Sequence, residues 1–275
     1  MVPLHIPGVV KPSDLEAFRR RCRCMVRDAT LVGTMSCVIR DIDIVGLLGC
    51  DVEKVRVVPP AVPSDCVIAE DRAAVSARRA FLNMPYILYP AAFRPYKNHA
   101  MLVEALAVLH RRGHRALQTV FTGIRTMPPQ LATRIEELGL TGHVHALGKV
   151  SRNELARLYA EAVATVVPSL YEQGSFPVLE ALLWNCPAAA SDLPALREAL
   201  APLGDAMVFF DPRSADAIAD AIASIIAHRD AILTRQVAAF AVIRDRTWED
   251  VAGEWAAVFA EAVRRHAAPP RTIRP

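Results

Sequence analysis

Two glutamates, Glu172 and Glu180, stand with seven residues between them in the stretch SLYEQGSFPVLEALLWNCP, Ser169 to Pro187. The β-branched run Ala164 to Pro168 before it and the run Ala188 to Ser191 after it read as short buried strands. Gly174 and Ser175 fall where a helix would start, and Pro177 falls in its first turn, where a missing N–H costs nothing. Glu172 then belongs to the loop and Glu180 lies about one turn into the helix. A helix N-terminus offers free N–H groups and partial positive charge, and so attracts phosphate. Carboxylates repel phosphate but accept hydrogen bonds from hydroxyls. Both together suit a ligand carrying phosphates and a polyol, such as a sugar nucleotide. A glutamate in the first turns also simply favours its helix, so Glu180 alone says little.

The segment PSLYEQGSFPVLEA resembles the E-x7-E motif of retaining glycosyltransferases of family 4, which have the GT-B fold. Their usual form is close to PS-x-x-E-G-F-G-x-P-x-x-E-A. Here Gln173, Gly174 and Ser175 stand in place of Gly-Phe-Gly. A second loop, AAFRPYKNH from Ala91 to His99, follows the buried strand Tyr86 to Pro90. It contains Arg94, and Lys97 at the entry to a helix, where a cation could neutralise a diphosphate. A lone lysine there is ordinarily just solvated. This loop, however, resembles the GR-x-x-P-x-KN motif of the same family, matching at Pro95, Lys97 and Asn98. The motif's Gly and Arg fall on Ala91 and Ala92, with Arg94 as a substitute cation two positions on.

The resemblance implies roles. Glu180 would hold the donor ribose and Glu172 the donor sugar, while Lys97 and Arg94 would meet the diphosphate. Gly174, Ser175 and Phe176 would offer backbone N–H groups to the phosphates. His145, in a segment resembling the family's strand end beside the nucleotide base, would contact that base; the same segment also reads as ordinary strand. His99 and His143 read as structural. The implied reaction moves a sugar from a nucleoside diphosphate to a glycan, lipid-linked or other acceptor, with retention at the anomeric carbon. Lys97 and Glu172 are the candidate catalytic residues. No cofactor and no bound metal are expected, since GT-B enzymes of this kind generally act without one.

Composition narrows the classes. The chain has 275 residues, 53% hydrophobic and 22% charged, with net charge +3. That charge is too mild to argue for nucleic acid. No apolar run reaches the roughly 18 residues that span a bilayer. The start MVPLHIPGVVKP lacks the basic and apolar regions of a signal peptide. The six cysteines have no metal-ligand spacing; Cys22 and Cys24 form an unmatched C-x-C pair. Reduced thiols in the cytoplasm are the simplest account. Five arginines between Arg19 and Arg27 crowd one helix, giving either a solvated basic face or a peripheral contact with the inner membrane surface.

Strands alternate with helices over Tyr86 to Ala227, which argues for an α/β fold with a Rossmann-like parallel sheet covered on both faces. Both candidate loops leave strands at the sheet edge where ligands bind. Before this unit, Pro12 to Asp28 reads as a helix capped by Ser13 or Asp14, with Leu15, Phe18, Cys22, Met25 and Val26 on one face. Ala29 to Thr34 and Lys54 to Pro60 read as strands, with a helix from Ser36 toward Gly49. The expected organisation is 1–63 as a partial, truncated acceptor-side α/β unit and 64–84 as linker with a helix from Val67 to Phe81. The donor-binding domain is expected over 85–247, a helix crossing back to the N-terminal part over 248–266, and a disordered tail over 267–275. A glycosyltransferase is the first function. A non-catalytic sugar-nucleotide-binding module that needs a partner chain, or self-associates, is the second. A sugar-nucleotide epimerase of the same fold is a more distant third.

Overall fold

The computed structural model describes residues 2–6, 11–62, 84–123, 126–174 and 176–267. The expected helix Val67 to Phe81, the site residue Ser175 and the tail from Ala268 onward lie outside the described residues. The chain divides into two units, one of residues 1–62 with 244–275 and one of residues 63–243.

In the first unit, helices α1 (Val2–His5) and α2 (Pro12–Asp28) precede strand β1 (Val32–Thr34). Pro12 opens α2 at a position where its missing N–H is harmless. Neither Ser13 nor Asp14 caps it: the N-cap is Lys11, which makes no side-chain cap bond. Val26 is buried on the inner face of α2, whereas Met25 is 71% exposed, so the expected apolar face is narrower by one residue. The Met25 side chain lies about 100° of helical turn from Val26 and falls outside the stripe. Ser36 Oγ accepts a bond from Ile39 N at 3.0 Å and opens the expected helix. That helix is a π-helix over Ile39–Leu47, not an α-helix. Strand β2 (Val55–Val57) pairs in parallel with β1, and both are shorter than expected.

The second unit holds the sheet. Its strands are β3 (Tyr86–Tyr89), β4 (Gln118–Phe121), β5 (Val144–Ala146), β6 (Ala164–Val167), β7 (Ala188–Ser191) and β8 (Val208–Phe210). The order is β5-β4-β3-β6-β7-β8, with every pairing parallel. Every residue of β3, β4, β6 and β7 is buried, as a sheet covered on both faces requires. The covering helices alternate with the strands: α3 (His99–Arg111), α4 (Pro129–Glu137), α5 (Arg152–Glu161), α6 (Phe176–Leu183), α7 (Pro194–Ala199), α8 (Ala215–Ala227) and α9 (Arg229–Arg244). Helix α5 starts on Ser151, whose Oγ accepts from Glu154 N at 3.2 Å. Gln236 of α9 is fully buried and serves Ala188 at the start of β7. It accepts from Ala188 N at 2.9 Å and donates to Ala188 O at 2.8 Å, supplying the peptide partner that no strand offers there.

The strand order reverses direction between β3 and β6, which lie side by side although β4 and β5 intervene in sequence. Loops leaving such a pair diverge to opposite faces and open a crevice at their carboxyl ends. The candidate loops 90–98 and 168–174 are those two loops.

The chain returns to the first unit through α10 (Trp248–Ala267). Val251 packs with Val58 and Ala61, and Trp255 and Val258 lie against them. Arg56 makes a forked pair with Glu261, at 2.9 and 2.5 Å. Gly33 of β1 lies under Trp255: a Cβ there would fall 2.1 Å from the ring. Among the described residues no helix is long and apolar enough to cross a membrane.

Candidate functional site

The β3 loop is short and tightly built. It runs into a single 3-10 turn, Pro95–Lys97, and Asn98 then takes the left-handed conformation (φ 58°) before α3 begins. Asparagine tolerates that conformation better than most residues. Its Nδ2 donates to Pro168 O at 2.9 Å and to Pro212 O at 2.8 Å. One side chain thus ties the β3 loop to the ends of β6 and β8. Leu170 N donates to Tyr96 O at 2.7 Å, a second clip between the two loops. On the other side, Gly123 (φ 94°) brings its backbone against Ala92; a Cβ would lie 3.2 Å from Ala92 N. Small residues at Ala91 and Ala92 leave room for that approach.

These clips bring Lys97 and Glu172 together. Lys97 Nζ donates to Glu172 Oε1 at 2.5 Å, with the side chains 20% and 12% exposed. Ser169 Oγ donates to the same oxygen at 2.6 Å. Ser169 is fully buried and lies 2.9 Å from the hydroxyl of Tyr89, the last residue of β3. Since the single Ser169 hydrogen serves Glu172, the Tyr89 hydroxyl is the donor in that pair. The same hydroxyl also donates to Lys97 O at 3.0 Å, so its one hydrogen is shared between the two acceptors. Burial pushes the Tyr89 phenol well above its ordinary range, and the Glu172 charge adds to this, so it stays protonated.

Glu180 sits one turn into α6, and its Oε2 accepts from the hydroxyl of Tyr159, a buried residue of α5, at 2.6 Å. Gly174 and Phe176 are half-buried at the start of α6. Arg94 is exposed at the N-cap of the 3-10 turn. His145 is half-buried in β5, and burial, followed by neighbouring His143, lowers its pKa. His99 is buried beneath the β3 loop among Tyr89, Phe93 and Phe121. Its Nε2–H donates to Ala91 O at 3.1 Å. Burial drives its pKa down to about 4, so the ring is neutral at pH 7 and can hold that carbonyl.

The structure therefore joins Lys97 and Glu172 directly, where the motifs assign them to separate parts of a ligand. Three further residues take part that motif matching did not single out. Ser169 stood inside the PS of the first motif and Asn98 inside the KN of the second, without assigned roles. Tyr89 carried one signal: a phenol at the last position of the buried strand YILY, next to the candidate loop. Among the described residues no group of three or more His, Cys, Asp or Glu side chains could hold a metal ion.

The model of the glycosyl transferases group 1 family matches residues 72–239, more than half of the chain, and the chain belongs to that family. It is similar to the O-antigen chain mannosyltransferase B of Escherichia coli, 32% identical over 134 residues, covering 48% of this chain and 34% of the relative. It is also similar to the MMP alpha-(1->4)-mannosyltransferase of Mycolicibacterium hassiacum, 28% identical over 219 residues, covering 78% and 50%. The chain thus spans about a third to a half of the length of these relatives. Among solved structures, Anabaena HepE in complex with UDP and glucose superposes with a TM-score of 0.72 at 19% identity, covering 88% of this chain and 67% of that one. A glycosyltransferase from Rickettsia africae superposes with a TM-score of 0.69 at 18% identity, covering 94% and 68%. These likenesses show the fold, that of the GT-B glycosyltransferases.

Proposed function

We propose that this chain is a retaining, family 4-like hexosyltransferase unit that takes its sugar from a nucleoside diphosphate donor. The observation that carries this is the joining of Lys97 and Glu172 over the β3–β6 reversal, with Glu180 one turn up the following helix. In this reading Glu180 holds the ribose and Glu172 the sugar hydroxyls. Lys97, Arg94 and the backbone N–H groups of Gly174, Ser175 and Phe176 meet the diphosphate, and His145 lies toward the base. As the anomeric bond breaks, negative charge grows on the departing diphosphate. A cation and a helix N-terminus fixed beside it stabilise that charge more than they stabilise the bound donor, which is what lowers the barrier. No metal is called for in this account. The solved structures of HepE with UDP and with UDP-glucose, and relatives named as mannosyltransferases, support a sugar-nucleotide donor.

Thermal unfolding with UDP, GDP and ADP and their sugar conjugates tests it. A bound nucleotide at about one hundred times its dissociation constant stabilises the fold by about 2.7 kcal/mol. Glu180→Ala is expected to weaken every nucleoside diphosphate, because a charge-assisted hydrogen bond of about 1.5–3 kcal/mol is lost. No stabilisation by any of them at millimolar concentration rejects the proposal. Binding without sugar transfer to any acceptor favours the second reading, a sugar-nucleotide-binding unit that needs a partner chain.

A further inference from the structure

We propose that Glu172 competes with the diphosphate for Lys97, and that this competition makes the site prefer a sugar-bearing donor over the bare nucleoside diphosphate. The inference rests on the donor site proposed above. Its basis is the pair itself: Lys97 Nζ lies 2.5 Å from Glu172 Oε1, and both side chains are largely buried. The two partners are not equally free to move. The Glu172 carboxylate is anchored from the protein side by Ser169, which is buried and held in turn by the buried Tyr89 hydroxyl. The ammonium sits on a flexible four-carbon stem and can swing. An incoming diphosphate therefore draws Lys97 away and leaves Glu172 behind.

The cost of that exchange depends on what else the ligand brings. A largely buried carboxylate that loses its cation and keeps one hydroxyl donor is poorly compensated. A sugar attached to the diphosphate places hydroxyl donors where the ammonium was, and each restores a hydrogen bond to a charged acceptor. The bare diphosphate restores none. After transfer the sugar leaves, Glu172 recovers Lys97, and the diphosphate product is expelled. Glu172 thus discriminates donor from product as well as touching the sugar.

Calorimetry decides it, using UDP and UDP-glucose, or the pair on the base that the thermal screen selects. Removing the charge by Glu172→Gln frees Lys97 while keeping an acceptor for Ser169. The expected result is bare diphosphate bound roughly tenfold tighter than by the wild type, with the preference for the sugar conjugate lost. Glu172→Ala gives the same direction should the glutamine trap Lys97 by a new bond. Unchanged or weaker diphosphate binding in both folded variants overturns the inference while leaving the donor site standing. A wild-type chain that binds neither ligand overturns the donor site and this inference together.

Discussion

At the scale of single residues, the site depends on neutral groups kept neutral by burial. His99 is the clearest. Its N–H holds Ala91 O only as part of a ring packed among three aromatic side chains, and burial lowers its pKa to about 4 from 6.5. Above pH 6.5 the ring is neutral in both folded and unfolded chains and contributes no pH dependence. As the pH falls from 6.5 toward 4, the unfolded chain takes up a proton that the folded one refuses. Stability therefore falls on acidification through that window, by at most about 3 kcal/mol. Urea unfolding of the wild type and of His99→Phe at several pH values measures this. The stability lost between pH 6.5 and 4 should be smaller in the variant, since the carboxylates and the other histidines still titrate but position 99 no longer does. An identical loss in both would show that His99 titrates normally.

At the scale of elements, the crevice is made by two loops that are held to each other rather than by either alone. Asn98 is the joint. Its left-handed backbone turns the chain into α3, and its amide bridges Pro168 O and Pro212 O. Asn98→Ala removes two hydrogen bonds of about 1 kcal/mol each and puts a Cβ residue with no local compensation into a strained conformation. The expected loss is about 2–3 kcal/mol of stability by urea unfolding. Because Lys97 precedes this joint, nucleotide binding should weaken as well. Asn98→Gly separates the two effects: it relieves the backbone and still lacks the amide, so stability should recover only in part while binding stays weak. Full recovery of both would show that the amide bridges do nothing for the site.

At the scale of the molecule, the two units differ in how much holds them. The second has a six-stranded sheet with four strands wholly buried. Among its described residues the first has two strands of three residues each, a core that includes Val26, Ile39, Ile44, Leu48, Val58 and Val251, and exposed Phe259 and Val263 on α10. A two-stranded element is marginal without further packing, and a core not built on a large sheet opens more cheaply. Hydrogen exchange should therefore be fast over Asp14 to Val58 and slow over Ala164 to Val167. Equal protection in a monomer would show that α10 and the Arg56–Glu261 pair hold the first unit as firmly as a full sheet holds the second.

What the sequence determined by itself is local. The period of buried runs named the strands and helices, because a strand wholly buried on both faces must be apolar throughout. The helix start at Ser36 needed only residues within one turn. The spacing of Glu172 and Glu180 placed one in a loop and one on the next helix, since both belong to a single loop–helix step. What only the tertiary structure decided is non-local. Lys97 and Glu172 are 75 residues apart and meet because β6 lies beside β3, a strand order that no local pattern states. Tyr89 reaches Ser169 for the same reason. The π-helix escaped notice because its apolar positions, Ile39 and Ile44, suit either winding until the surrounding packing selects one. Residue types and spacing named the groups that can meet a sugar nucleotide, while the adjacency of two distant strands set which of those groups hold each other when it is absent.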